Sequence, residues 1–580
     1  MALPPIVSSG NMQGGPQEDL PGVEVDVPEP MNFEGGAQVT ETLDGAVIEQ
    51  IAEAEETAMA PLEHAANLAE YLDEAYLGEI SSELRASYED DLDSRSEWEE
   101  SYTKGLDQLG VKYEDRVQPF EGASGVTHPL IAESVTQFQA QAYKELLPSG
   151  GPVKTQVLGL QDPAREEQAA RVKDFMNYQI MEVMEEYDPD MDQLLFYLPL
   201  SGSCFKKVYF DQAKQRAVSQ FVPAQDLVVD YAASDLNTAS RVTHVLRMDA
   251  NQIRKMQFSG FYRDVEMSEN DDQEDMVREK VDEIQGTSKS YTDDVYTILE
   301  MHVDLDLEGF EDIGPDGEPT GIALPYIVTI DEGSGEVLSI RRNWTEGAPL
   351  AKKQQYFVHF KFMPGLGFYG FGLIHMIGGL GRAATSILRQ LVDAGTLANL
   401  PAGFKARGVR VRNDDEPLQP GEWRDIDAPG GNIRDAIIPL PYKEPSATLS
   451  SLLGALVDGG RRFVSFADQQ TADANGQAPV GTTVALLERG MKVMSAIHKR
   501  LHYAQKNEFR IMARIFSENL PQEYPYDVQG GDRMIMAQDF DDRVDVVPVS
   551  DPNIFSMAQR VTLAQTQLPL AQSNPQVHNL

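Results

Sequence analysis

The chain has a single cysteine, Cys204, among 580 residues. No internal disulfide can form and no thiolate cluster can hold zinc, which suits a reducing compartment. Positive charge is also scarce, with 48 Lys and Arg against 93 Asp and Glu, a formal net charge of -45. Met1 to Leu84 contains no Lys or Arg at all. So acidic a chain does not neutralise a phosphate backbone in the usual way, which excludes a conventional nucleic-acid binder. No window approaches the ~20 consecutive apolar residues of a membrane span. The first residues show neither the basic n-region nor the apolar h-region of a signal peptide. The expectation is a cytosolic chain with no membrane partner. Hydrophobic residues make up 41% of the sequence, enough for globular packing, and the length predicts roughly two to four structural units.

Catalytic signatures are missing as well. There is no P-loop, no G-x-S-x-G elbow and no Cys/His nucleophile arrangement, which points away from an enzyme and from a cofactor. Three stretches imitate chemistry. "GLGRAA" at 379–384 matches a dinucleotide-binding pattern, but "FGLIHMIG" before it is a poor Rossmann strand and no acid follows about 20 residues on. Close packing or flexibility at a helix N-terminus is the better reading. His498 and His502 share a helix face at i, i+4, yet Lys499 and Arg500 lie between them where a zincin carries Glu. That predicts a solvated or helix-packing face. "DLDLEGFED" at 304–312 resembles the start of a calcium loop, but Pro315 stands where the bidentate Glu belongs, so an acidic hairpin loop is expected. The Asn343-Trp-Thr sequon carries no meaning in a cytosolic chain.

The pattern along the chain predicts an α+β protein. Residues 1–60, acidic and rich in Pro and Gly, read as a disordered arm. Amphipathic, solvent-facing helices follow up to about 116, then helices through "HPLIAESVTQFQAQAYKELLP" and "REEQAARVKDFMNYQIMEVM". "SCFKKVYFDQAKQRAVSQFVPAQDLVVDY" reads as short strands, and "YTILEMHVDLDL" with "PYIVTIDEGSGEVLSIRRN" as a meander turning at Gly-Ser-Gly. After "FVHFKFMPGLGFYGFG" a helix is expected over 376–398, short strands and turns over 403–442 and a second helix over 446–467. "DQQTADANGQAPVGTT" at 468–483 then reads as a flexible, nearly neutral loop, followed by an unbroken helix over 483–516.

That order resembles the wing, stem, clip, stem, tunnel loop and long wing helix of tailed-bacteriophage portal proteins. The words "FEGASGVTHPLIAESVTQFQAQAYKELLPSGGPVK", "TSILRQLVDAGTLANLPAGFKARGVRVRNDDEPLQPGEWRDID", "IIPLPYKEPSATLSSLLGALVDGGRR" and "NGQAPVGTTVALLERGMKVMSAIHKRLH" are similar to the podovirus-type branch. The resemblance implies an α/β wing over 61–375, stem helices over 376–398 and 445–467, and a β-rich clip over 399–444. It further implies a tunnel loop over 468–483, a long kinked wing helix and its return over 484–550, and the start of a crown over 551–580.

What such a family implies is a ring, usually a dodecamer, at one capsid vertex of the virion, assembled in the host cytoplasm. Double-stranded DNA passes through it, driven by the terminase large subunit, and head-tail adaptor, tail, capsid and scaffolding proteins attach to it. Twelve helices ~9 Å apart leave a bore of roughly 25 Å, wide enough for a duplex. In this role Gln469, Gln470, Thr471, Asp473, Asn475, Gly476, Gln477, Pro479 and Thr482 would face DNA without gripping it. Lys405, Arg407, Arg410, Arg412, Asp414, Asp415, Glu416, Trp423 and Arg424 would carry clip contacts to neighbouring subunits, terminase or adaptor. The alternatives are a head-to-tail adaptor ring and an acidic scaffolding-type interaction protein.

Overall fold

The structure is a computed structural model. It describes residues 63–549 apart from 113–114, 160–161, 213, 269–275, 287–294, 315, 349, 400–402, 406–409, 412–425, 428–436, 440–441, 465–479, 529–530 and 542. For the described parts of 403–439, 462–495 and 527–532 it gives the backbone alone. The expected acidic arm and crown segment lie outside the described residues.

Two larger antiparallel sheets and several two-stranded ladders form the β part, and with the helices around them the class is α+β, as the sequence predicts. One sheet has β2 (Ser203–Asp211) at its centre, between β3 (Arg216–Pro223) and β9 (Phe357–Lys361). The other runs in chain order through β4 (Leu227–Val228), β5 (Arg241–Asp249), β6 (Val295–Leu305), β7 (Leu324–Asp331) and β8 (Val337–Arg342). The Gly-Ser-Gly turn lies between β7 and β8, with Gly335 at φ 77° and Ser334 Oγ donating to Asp331. The acidic stretch at 304–312 leaves the end of β6 for a hairpin loop. There the backbone N–H of Thr320 donates to the Asp312 carbonyl at 2.8 Å.

Helix α1 (Glu74–Ser94) covers the five-stranded sheet. Leu77, Ile80, Leu84 and Tyr88, at spacings of three and four, meet Leu299, Met301, Tyr326 and Val328 there. At Arg95, only 2% exposed, the chain bends into α2 (Ser96–Leu106), and the guanidinium donates to the carbonyls of Ala224, Gln225 and Leu227. Neither helix is a free-standing solvent helix, because α2 buries Trp98 and Tyr102 in the body. The charged majority of these segments hides a narrow aromatic and leucine stripe that decides the packing.

The largest core gathers α3 (Leu130–Leu146), α4 (Pro163–Tyr178) and α5 (Tyr187–Ser201) around the three-stranded sheet. Helix α5 is unexpected from the sequence because "YDPDMDQLLFYLPLS" holds two prolines. Pro189 falls in its first turn, where no N–H is needed, and Pro199 falls near its end. Two further helices, α6 (Ala250–Phe258) and α7 (Met276–Gln285), occupy the excursion between β5 and β6. Strand β1 (Val153–Val157) pairs with β16 (Val544–Pro548), and β14 (Glu523–Val528) with β15 (Gly531–Met536). Among the described residues no helix is long and apolar enough to cross a membrane.

Candidate assembly and channel module

Helix α8 (Leu373–Asn399) has 27 residues and no proline, and its first turns are pressed onto α2. A Cβ on Gly105 would stand 1.9 Å from Ile374, and one on Gly381 would stand 2.6 Å from the Gln108 side chain. Of the two glycines of "GLGRAA", Gly381 therefore serves a close approach, while a Cβ on Gly379 would meet nothing within 4 Å. Gly105→Val is expected to cost about 1–3 kcal/mol through overpacking, read as an earlier urea midpoint. An unchanged midpoint would show that the crossing is loose.

Further along, one polar face of α8 ties to the segment before α3. Thr385 Oγ1 accepts from the N–H of His128 at 3.1 Å, Arg389 Nε donates to the Val126 carbonyl at 2.8 Å, and Asp393 accepts from the N–H of Ser124 at 2.7 Å. These residues recur every four positions, so a single stripe makes all three bonds. This set was not found from sequence, since its partners lie more than 250 positions away.

Between α8 and the next helix the described backbone forms two nested antiparallel ladders. The outer pairs β10 (Gly403–Lys405) with β13 (Ile437–Pro439), and the inner pairs β11 (Arg410–Val411) with β12 (Ile426–Asp427). Helix α9 (Ala447–Val464) then returns beside α8. A Cβ on Gly395 would lie 3.7 Å from Pro445, just ahead of α9, and Arg461 near the far end of α9 pairs with Glu133 of α3 at 3.0 Å. The two helices thus form a hairpin capped by a small β insertion. Its outer surface is incompletely covered: Val392 is 42% and Leu452 47% exposed.

Helix α10 (Val480–Asn519) spans 40 residues, which at 1.5 Å per residue is about 60 Å. It starts three residues before the expected position, so Val480 to Thr483 are helical and not loop. Further along, Leu501, Phe509, Met512 and Phe516 enter the main core. His498 and His502 are only 5% and 6% exposed and both face Glu145 of α3. They belong to a helix-packing face and not a solvated one. His498 Nδ1 contacts the Glu145 carboxylate, and His502 Nε2 stands 3.9 Å from it. Burial alone would raise the Glu145 carboxyl, but hydrogen bonds and charge from the two imidazoles hold it at about 2. Among the described residues no group of three or more His, Cys, Asp or Glu is placed to hold a metal.

Of the expected site residues, Lys405 lies on β10, Arg410 on β11 and Thr482 in the first turn of α10. Arg407, Arg412, Asp414, Asp415, Glu416, Trp423 and Arg424 lie outside the described residues, as do Gln469, Gln470, Thr471, Asp473, Asn475, Gly476, Gln477 and Pro479. No protein-family model and no curated protein matches the chain.

Proposed function

We propose that the chain is the subunit of a viral portal. In this reading it forms a ring-shaped channel at one capsid vertex, through which terminase packages DNA and to which tail proteins attach. The observation that carries the reading is the order and packing of the C-terminal half: α8, two nested β ladders, the returning α9, and then the 40-residue α10. The exposed Val392 and Leu452 on the hairpin add support, because two helices that leave apolar residues uncovered gain stability when neighbouring copies pack beside them. The excess of acid suits a channel wall, since a surface that repels phosphate releases few counterions and gives DNA few sticking points. This role requires no catalytic site of the chain, and the work of moving DNA falls to a separate ATPase.

Electron microscopy of the purified full chain tests the reading. The expected images are rings with a central hole wide enough for a duplex, close to twelve-fold. Monomers at every protein concentration, or solid particles without a hole, would overturn it.

A further inference from the structure

Between α2 and the first turns of α8 lies an open cleft of about 390 Å³, lined among others by Lys104, Gln108, His375, Gly379 and Arg382. Lys104 pairs on the rim with Glu100, both side chains more than half exposed, and such pairs contribute little in water. Arg382 is exposed and takes part in no hydrogen bond or ion pair among the described residues. In a chain with 93 acids and 48 bases, a cation left without an acid beside a cleft stands out. Gly379 opens the same wall, since a Cβ there would meet nothing within 4 Å.

The complementary feature lies on α1. Glu79, Glu83 and Asp90 are exposed and have no cation partner among the described residues. At positions i, i+4 and i+11 they fall on one stripe, turned away from the leucines that face the sheet. Like charges so arranged repel, and a cation brought against them relieves the repulsion.

We propose that the cleft receives the acidic stripe of α1 from a second copy of the chain, with Arg382 and Lys104 pairing against Glu79 and Glu83. The inference rests on the ring reading above and names one of its contacts. Cleft and stripe are different patches, one on α2 and α8 and the other over the five-stranded sheet. The contact is therefore head-to-tail, the kind that closes into a ring when the rotation allows.

Sedimentation of the full chain tests it with two variants, Arg382→Glu and the pair Glu79→Lys with Glu83→Lys. Each alone is expected to weaken association at least about tenfold at low salt, with the circular dichroism of the folded subunit unchanged because the substituted side chains are exposed. An equimolar mixture is expected to restore assembly, because every cleft then meets a stripe of opposite sign. If the wild type forms rings and Arg382→Glu forms them equally well, the cleft is not the contact. If both variants fail but their mixture does not recover, the α1 assignment is wrong. A monomeric wild type would instead overturn the ring reading itself.

Discussion

Replacing Glu508 with leucine destabilises the protein by about 3–5 kcal/mol, because it strands a buried ammonium. Lys206 on β2 and Glu508 on α10 are both 0% exposed, with Nζ and Oε1 3.1 Å apart. Ser219 Oγ donates to the same carboxylate oxygen at 2.7 Å, and the Lys206 ammonium lies 3.8 Å from the centre of the Tyr187 ring. Each group is tolerable only beside the other, since an isolated charge in such a place has neither water nor a counterion. Lys206→Met alone strands the carboxylate and should cost a similar amount. The double variant Lys206→Met with Glu508→Leu removes both charges and should recover most of the loss. Urea midpoints of the four proteins measure this coupling. Singles within about 1 kcal/mol of wild type would show that the pair is not shut away from water.

The pair also explains how the long helix is held. Successive residues on a strand point to opposite faces, so Lys206 turns to α10 while Lys207 turns to the other sheet, where its ammonium meets Glu300 of β6 at 2.6 Å. Strand β2 is thus tied by an ion pair on each face, fully buried toward α10 and partly exposed toward the other sheet. In the portal reading this matters because α10 would carry at its N-terminal end whatever the channel loop experiences, and a charge pair of fixed geometry resists sliding of the helix better than apolar contacts alone.

How far the sequence could be read follows from the range of the forces involved. Helices α8, α9 and α10 are visible as long, proline-free stretches with apolar residues at helical spacing, and only their ends differ from expectation. The meander is visible through its alternation and its Gly-Ser-Gly turn. Helix α5 is hidden by Pro189 and Pro199, whose harmlessness depends on where the helix begins and ends. The spacing of His498 and His502 is plain in the sequence, but their burial against Glu145 depends on how α10 lies across α3. The same holds for Arg389 and Asp393, whose partners come from a distant segment, and for the Lys207 and Glu300 pair between two sheets.

Acidification from pH 7.5 to 5.5 is expected to lower stability by roughly 4 kcal/mol, because several histidines are folded away in the neutral form. Burial is the main cause in each case. It holds His244 at about 3, with the Lys207 charge adding to the effect and Glu300 opposing it. Burial holds His375 at about 4 and His359 well below its ordinary value. His302 is lowered too, burial outweighing its 3.0 Å contact with Glu300. In the unfolded chain these imidazoles take up protons near pH 6.5. A group whose folded pKa lies below its unfolded one contributes fully above the unfolded value and loses that contribution as the pH falls through it. At pH 5.5, one unit below, each strongly shifted histidine has lost about 1.4 kcal/mol, and His244, His359 and His375 together account for the total. Against a stability of ~5–15 kcal/mol this is a large share. Glu300 acts in the same direction lower down. Burial would raise its carboxyl, but the Lys207 charge and His302 keep it well below its usual range, so its contribution disappears only as the pH falls below about 4.5. Urea unfolding at the two pH values reads the effect, and His244→Gln with His359→Gln should flatten it. Equal midpoints at pH 7.5 and 5.5 in the wild type would mean that these imidazoles are charged or hydrated in the folded protein.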